Sequence, residues 1–80
     1  MDLIFDFSEL CGRIIARYGN YAKFADAIGM SRAQLSERLN NKRPFKPEEI
    51  VLICSPDILN IPDTEIGSYF FYAKSLIFQT

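Results

Sequence analysis

The chain has 80 residues, 49% of them hydrophobic and 14% aromatic, with nine basic and ten acidic side chains for a net charge of −1. That length suits one domain spanning 1–80, because compact domains run to roughly 50–200 residues; a doubly wound sheet or a barrel enzyme needs more. The apolar content argues against disorder, and no apolar run approaches the roughly 20 residues of a membrane span or forms a signal-peptide core.

In chain order, Met1-Asp2-Leu3-Ile4-Phe5 is a short apolar opening that suits a strand or a packed arm. Asp6-Phe7-Ser8-Glu9 reads as a capping box, with Asp6 accepting from free N–H groups and Glu9 reaching back. Phe7, Leu10, Cys11, Ile14 and Tyr18 follow at helical spacing up to Gly19, which predicts a first helix over about 7–18. Asn20 is a good cap for a short second helix with inner residues Phe24, Ala25 and Ile28, ended by Gly29. Ser31 then caps a third helix over Arg32–Leu39. Leu35 and Leu39 share one face of it, and Ala33, Gln34 and Glu37 project roughly opposite.

Asn40-Asn41 breaks that helix, and Lys42-Arg43-Pro44 makes a basic turn. Pro47 at a first helical position, with Glu48 and Glu49 behind it, opens a fourth helix through about Cys54, which Pro56 stops. Ile58, Leu59 and Ile61 cover the core as an irregular or single-turn segment. Asp63 caps a last helix near 64–70. The aromatic tail that follows either extends this helix or pairs as a strand with Leu3–Phe5.

The informative unit runs from Phe24 to Ser36. Two short helices joined by three or four residues cross steeply, so a small residue is wanted midway along the first, and Ala25 supplies it. Gly29 gives the turn its positive φ, Met30 plugs the gap behind it, and Leu35 anchors the second helix. An ordinary helical hairpin satisfies the same pattern.

Through Ala25, Gly29, Met30-Ser31-Arg32, Leu35-Ser36 and Leu39-Asn40-Asn41-Lys42-Arg43-Pro44-Phe45, the chain resembles the Cro/C1-type (XRE-like) helix-turn-helix family, in particular small phage-type repressors. The likeness extends loosely over residues 6–70. It implies an all-α fold of about five helices, with the helix-turn-helix over about 21–39 and a short strand or arm at the termini. It also implies a homodimeric transcriptional regulator in a bacterial cytoplasm, with a double-stranded DNA operator as partner. The third helix would enter the major groove.

On that resemblance Arg32 is placed to pair guanine, Ala33 to meet a thymine methyl, Gln34 to bond adenine and Glu37 to accept from cytosine. Glu37 equally suits an ion pair with a neighbouring base. Asn20, Tyr21, Ser31, Ser36, Arg38, Asn41, Lys42 and Arg43 are the candidate phosphate contacts, with Lys23 a further one. Arg38 departs from the family pattern, which has an apolar residue there. Asn41 replaces a common glycine and tolerates a left-handed backbone.

Charge is distributed to match. Residues 31–46 hold five bases against one acid, whereas residues 44–80 hold two against five. That makes a local polyanion-facing patch on an otherwise acidic chain, or a plain solvated face. The aromatic stretch 66–78 is the candidate dimer surface, through Tyr69, Phe70, Phe71, Tyr72, Leu76 and Phe78; alternatively these rings close the core.

The chain has no His, so His-dependent triads and Cys/His zinc sites are excluded. Cys11 and Cys54 read as buried thiols in a reducing compartment. No enzyme chemistry, cofactor, metal, membrane contact or small-molecule substrate is expected. The alternative to a DNA reader is a protein-interaction module that keeps the helix-turn-helix fold without binding DNA.

Overall fold

The computed structural model describes residues 4–73. They form five helices, α1 (Ser8–Tyr18), α2 (Tyr21–Ile28), α3 (Arg32–Leu39), α4 (Pro47–Cys54) and α5 (Ile66–Phe70), with a 3-10 turn over Asp63–Glu65 leading into α5. The only β pairing among the described residues is a single antiparallel bridge between Phe5 and Ala73. The fold is all-α, as expected, and no helix in it is long and apolar enough to cross a membrane.

Local chemistry explains most boundaries. Asn20 Oδ1 accepts the Lys23 N–H at 2.9 Å and opens α2. Gly29 closes it at φ 73°. There the Met30 N–H donates to Ala25 O and the Gly29 N–H to Asp26 O, the paired bonds of a Schellman ending that needs a left-handed residue. Pro47 occupies the first turn of α4, where its missing N–H costs nothing. Beyond α4 the chain folds back on it. Leu59 N–H donates to Ile53 O and Ile61 N–H to Cys54 O, which drives Ile58, Leu59 and Ile61 into the core.

Three local expectations change. The entrance to α1 is no capping box: Asp6 Oδ1 takes the Ser8 N–H at 2.9 Å and its hydroxyl at 2.6 Å, so the helix begins at Ser8. Asp63 does not cap the last helix. It lies inside the 3-10 turn, and α5 starts later, at Ile66. Cys11 and Cys54 are half-buried rather than fully buried.

The core gathers Leu10 and Ile14 of α1, Phe24, Ala25 and Ile28 of α2, Leu35 of α3, Ile53 of α4 and Phe70 of α5. α2 sits centrally, packed on α1, α3 and α4, while α5 lies against α1. Ala25, 2% exposed, is the small residue that lets α2 approach its neighbours. At one end, edge-to-face pairs join Phe7 to Phe45 (5.4 Å) and Phe45 to Phe70 (5.2 Å). Phe5 meets Phe71 in the same manner at 5.8 Å. These contacts knit the N-terminal arm, the α3–α4 loop and α5 into one aromatic cluster.

Arg13 ties α1 to the far side. Its guanidinium donates to Leu59 O (2.9 Å), Asn60 O (3.1 Å) and the Tyr69 hydroxyl (3.1 Å).

Candidate functional site

The α2–turn–α3 unit presents the outer face of α3, and each residue expected there can be located. Arg32, Ala33, Gln34 and Ser36 are exposed, and Glu37 is half-exposed. Exposure alone does not make them available. Ser31 Oγ accepts the Gln34 N–H at 3.0 Å, and Gln34 Oε1 accepts the Ser31 N–H at 3.0 Å, a reciprocal capping box that engages the amide oxygen a base would need. Glu37 pairs with Arg43 at 3.1 Å. The Lys42 and Arg43 N–H groups both donate to Glu37 O, which folds the basic turn back onto the end of α3.

Arg38 is the clearest departure. It is not on the surface: at 7% exposure it is the one buried charged residue among those described. Its Nε and Nη2 grip Glu49 Oε1 and Oε2 at 2.9 and 3.0 Å, and Nη1 donates to Gln34 O at 3.2 Å. Glu49 Oε1 also accepts the Lys46 N–H at 2.9 Å, so one carboxylate both balances Arg38 and caps α4. The Glu49 hydrogen bond raises the Arg38 guanidinium further above its ordinary value. For Glu49, burial pushes the carboxyl up, but the Arg38 hydrogen bond, the Lys46 N–H and the two cations outweigh it and hold it below the usual carboxylate range. Expected at the surface as a phosphate contact, Arg38 instead makes its hydrogen bonds inside the fold.

Asn41 is likewise engaged. At φ 62° its Nδ2 donates to Phe5 O and its Oδ1 accepts the Phe5 N–H, each at 2.9 Å, so its amide acts as a strand edge for the arm. Asn20 spends its side-chain oxygen on the α2 cap. Tyr21 is half-buried beside Cys11, and the neighbouring thiol together with burial raises the phenol above its ordinary value. Of the bases in 31–46, Arg32, Lys42 and Lys46 remain without an ion pair among the described residues. The positive patch is therefore weaker than the sequence count suggests.

Next to this face lies a cleft of about 320 Å³ whose floor is Leu35 and Leu39. Cys11 and Tyr21 form one wall, and the row Arg32, Ser36 and Asn40 forms the other. Ser36 serves this wall internally, since Asn40 Nδ2 donates to Ser36 O and its hydroxyl at 2.8 and 3.2 Å.

The expected dimer residues separate. Phe70 is 2% exposed and belongs to the core, and Tyr69 is half-buried with its hydroxyl taken by Arg13. Phe71 and Tyr72 are exposed. Leu76 and Phe78 lie outside the described residues. The strand alternative for the tail matches the Phe5–Ala73 bridge at that one pair.

Sequence reasoning missed the Arg38–Glu49 pair, for which eleven residues of separation leave no local signal. It also passed over the Ser31–Gln34 box, although Ser-x-x-Gln is a legible cap.

A family model described as a protein of unknown function (DUF739) matches residues 3–73. No curated protein matches the chain. The fold is similar to the solution structure of the modulator of repression (MOR) of the temperate bacteriophage TP901-1 from Lactococcus lactis. The two share 34% identity at a TM-score of 0.72, over 84% of this chain and 88% of that one.

Proposed function

The chain belongs to the DUF739 family, and from its likeness to a modulator of repression we propose that it is a phage regulatory protein that modulates repression by engaging another protein through its α3 face. The likeness to a modulator of repression supports the regulatory part. The observation that carries the choice of partner is the internal engagement of the polar groups around α3. A DNA reader keeps bidentate donors and acceptors free at base edges and cations free for phosphates. Here Arg38 is buried on Glu49, Glu37 pairs with Arg43, Gln34 closes a cap and Asn41 holds the arm. Beside these groups lies a cleft floored by Leu35 and Leu39 and bordered by the unpaired Arg32, which suits a protein side chain better than a groove edge.

A second reading rests on Arg32 and Lys42, exposed at the start of α3 and in the loop behind it. It makes the chain a Cro/C1-type homodimer on an operator, with Arg32 and Ala33 at bases and Lys42 at a phosphate.

An amide chemical-shift titration separates the two. A temperate-phage repressor protein, added at low ionic strength, is expected to move amides at 21, 32, 36, 39 and 40, whereas a generic DNA duplex leaves them in place. Salt-sensitive shifts across 20–24 and 31–43 with the duplex would overturn the protein-partner reading in favour of the operator.

A further inference from the structure

The cleft beside α3 does not stop at Asn40. A second depression, of about 430 Å³, shares Cys11, Leu39 and Asn40 with it and runs on to Ile4, Phe5 and Asn41 at the arm. The two adjoin through these three residues, and we treat them as one groove along α3. That helix is eight residues long, so the groove runs for roughly 12 Å, about two turns of a docked helix.

Its polarity is uneven. Its apolar floor runs from Leu35, 1% exposed at the base, through Leu39 to Ile4, 39% exposed, and Asp6 and Ser8 line the arm end beside it. At the opposite end stands Arg32, exposed and with no side-chain hydrogen bond or ion pair among the described residues.

We propose that this groove receives an amphipathic helix of a partner protein, with apolar side chains at i, i+3 or i+4 and i+7 on the Leu35–Leu39–Ile4 floor and a carboxylate beside Arg32. This rests on the protein-partner reading and adds to it the chemistry of the partner. The helix-in-groove mode supplies the physics: apolar anchors give affinity, and a charge at one end sets direction. An aromatic or aliphatic anchor fills a depression that a phosphate backbone, polar and convex, leaves open.

Cysteine chemistry provides an internal control. Cys11 lines the groove at the junction of its two halves, while Cys54 lines a different depression, against Val51 and Ile61. The probe is a synthetic helical peptide with leucines at i, i+3 and i+7 and a glutamate in the turn that reaches Arg32. Its counterparts carry lysine for the glutamate, or serine for the leucines.

With the glutamate peptide at about ten times its Kd, alkylation of Cys11 by iodoacetamide should slow roughly tenfold, since only free protein reacts, while Cys54 keeps its rate. The lysine peptide should bind about three- to fivefold more weakly. In Arg32→Glu that preference should reverse. This variant places an acid in the first turn of α3, where the helix favours it, so folding is retained.

Equal protection by the glutamate and lysine peptides, or none by either, overturns the groove proposal. If the phage repressor protein still moves the α3 amides, the protein-partner reading stands without it. Protection of Cys11 by a DNA duplex and its loss with added salt overturn both. Protection that tracks protein concentration with no peptide present assigns the groove to a second copy and overturns the proposal as well.

Discussion

Replacing Glu49 with alanine leaves the Arg38 guanidinium buried without its counter-ion. Breaking a buried pair from one side costs about 3–5 kcal/mol, because the remaining charge keeps its desolvation penalty. The two side chains are 8% and 18% exposed, so water reaches the pair from the Glu49 side, and the lower end of the range, about 3 kcal/mol, applies. A chain of this length is held by roughly 4–12 kcal/mol in total, so the loss is large. At about 4–8 °C per kcal/mol for a domain of this size, the midpoint of thermal unfolding should fall by roughly 12–24 °C.

Circular dichroism at 222 nm through a thermal ramp and a urea series reads both quantities. The pair Arg38→Met with Glu49→Leu removes both charges together and should return to within about 1 kcal/mol of the wild type, since an apolar replacement owes no desolvation. A cost under about 1 kcal/mol for Glu49→Ala, the value of a surface pair, or a double variant as unstable as the single one would refute the buried-pair assignment.

The same carboxylate sets an acid limit. Its pKa lies below the ordinary 4.5 in the folded chain, so the unfolded chain takes up the proton first as pH falls. The pair's stabilisation is present above 4.5 and is lost as pH falls through the lower, folded value. Urea midpoints measured downward from about pH 5 should fall in the wild type and be flatter in Glu49→Gln; parallel curves would remove Glu49 as the cause. Asn41→Gly keeps the left-handed backbone but loses both bonds to Phe5, which should cost about 1–3 kcal/mol and speed exchange of the Phe5 amide. Unchanged exchange would mean the arm is held elsewhere. Phe70→Ala should cost about 3–5 kcal/mol and Phe71→Ala under about 1 kcal/mol, in line with their burial; the reverse order in chemical denaturation would refute the core assignment. Ser31→Ala should cost about 1 kcal/mol and loosen the first turn of α3, seen as faster exchange of the Gln34 amide.

The local grammar of this chain was legible in its residues. Asn20, Gly29, Ser31 and Pro47 act through bonds spanning a few positions, so their geometry follows from residue type: α2, α3 and α4 begin, and α2 ends, where these residues put them. The five-helix order and the Ala25–Gly29–Leu35 turn followed from the same short-range rules together with helical periodicity.

What tertiary structure decided is which polar groups remain free. Arg38 reads as one more base on an outward helix until α4 brings Glu49 against it, and a pairing across eleven residues has no periodic signature. Asn41 reads as a tolerant helix breaker until the arm, 36 positions away, supplies a peptide for both ends of its amide. Phe70 and Phe71 are adjacent and chemically identical, and only the packing of α5 on α1 sends one inward and leaves the other outside. Side-chain type follows from sequence, whereas availability for a partner depends on which distant group arrives to satisfy each charge and hydrogen bond first.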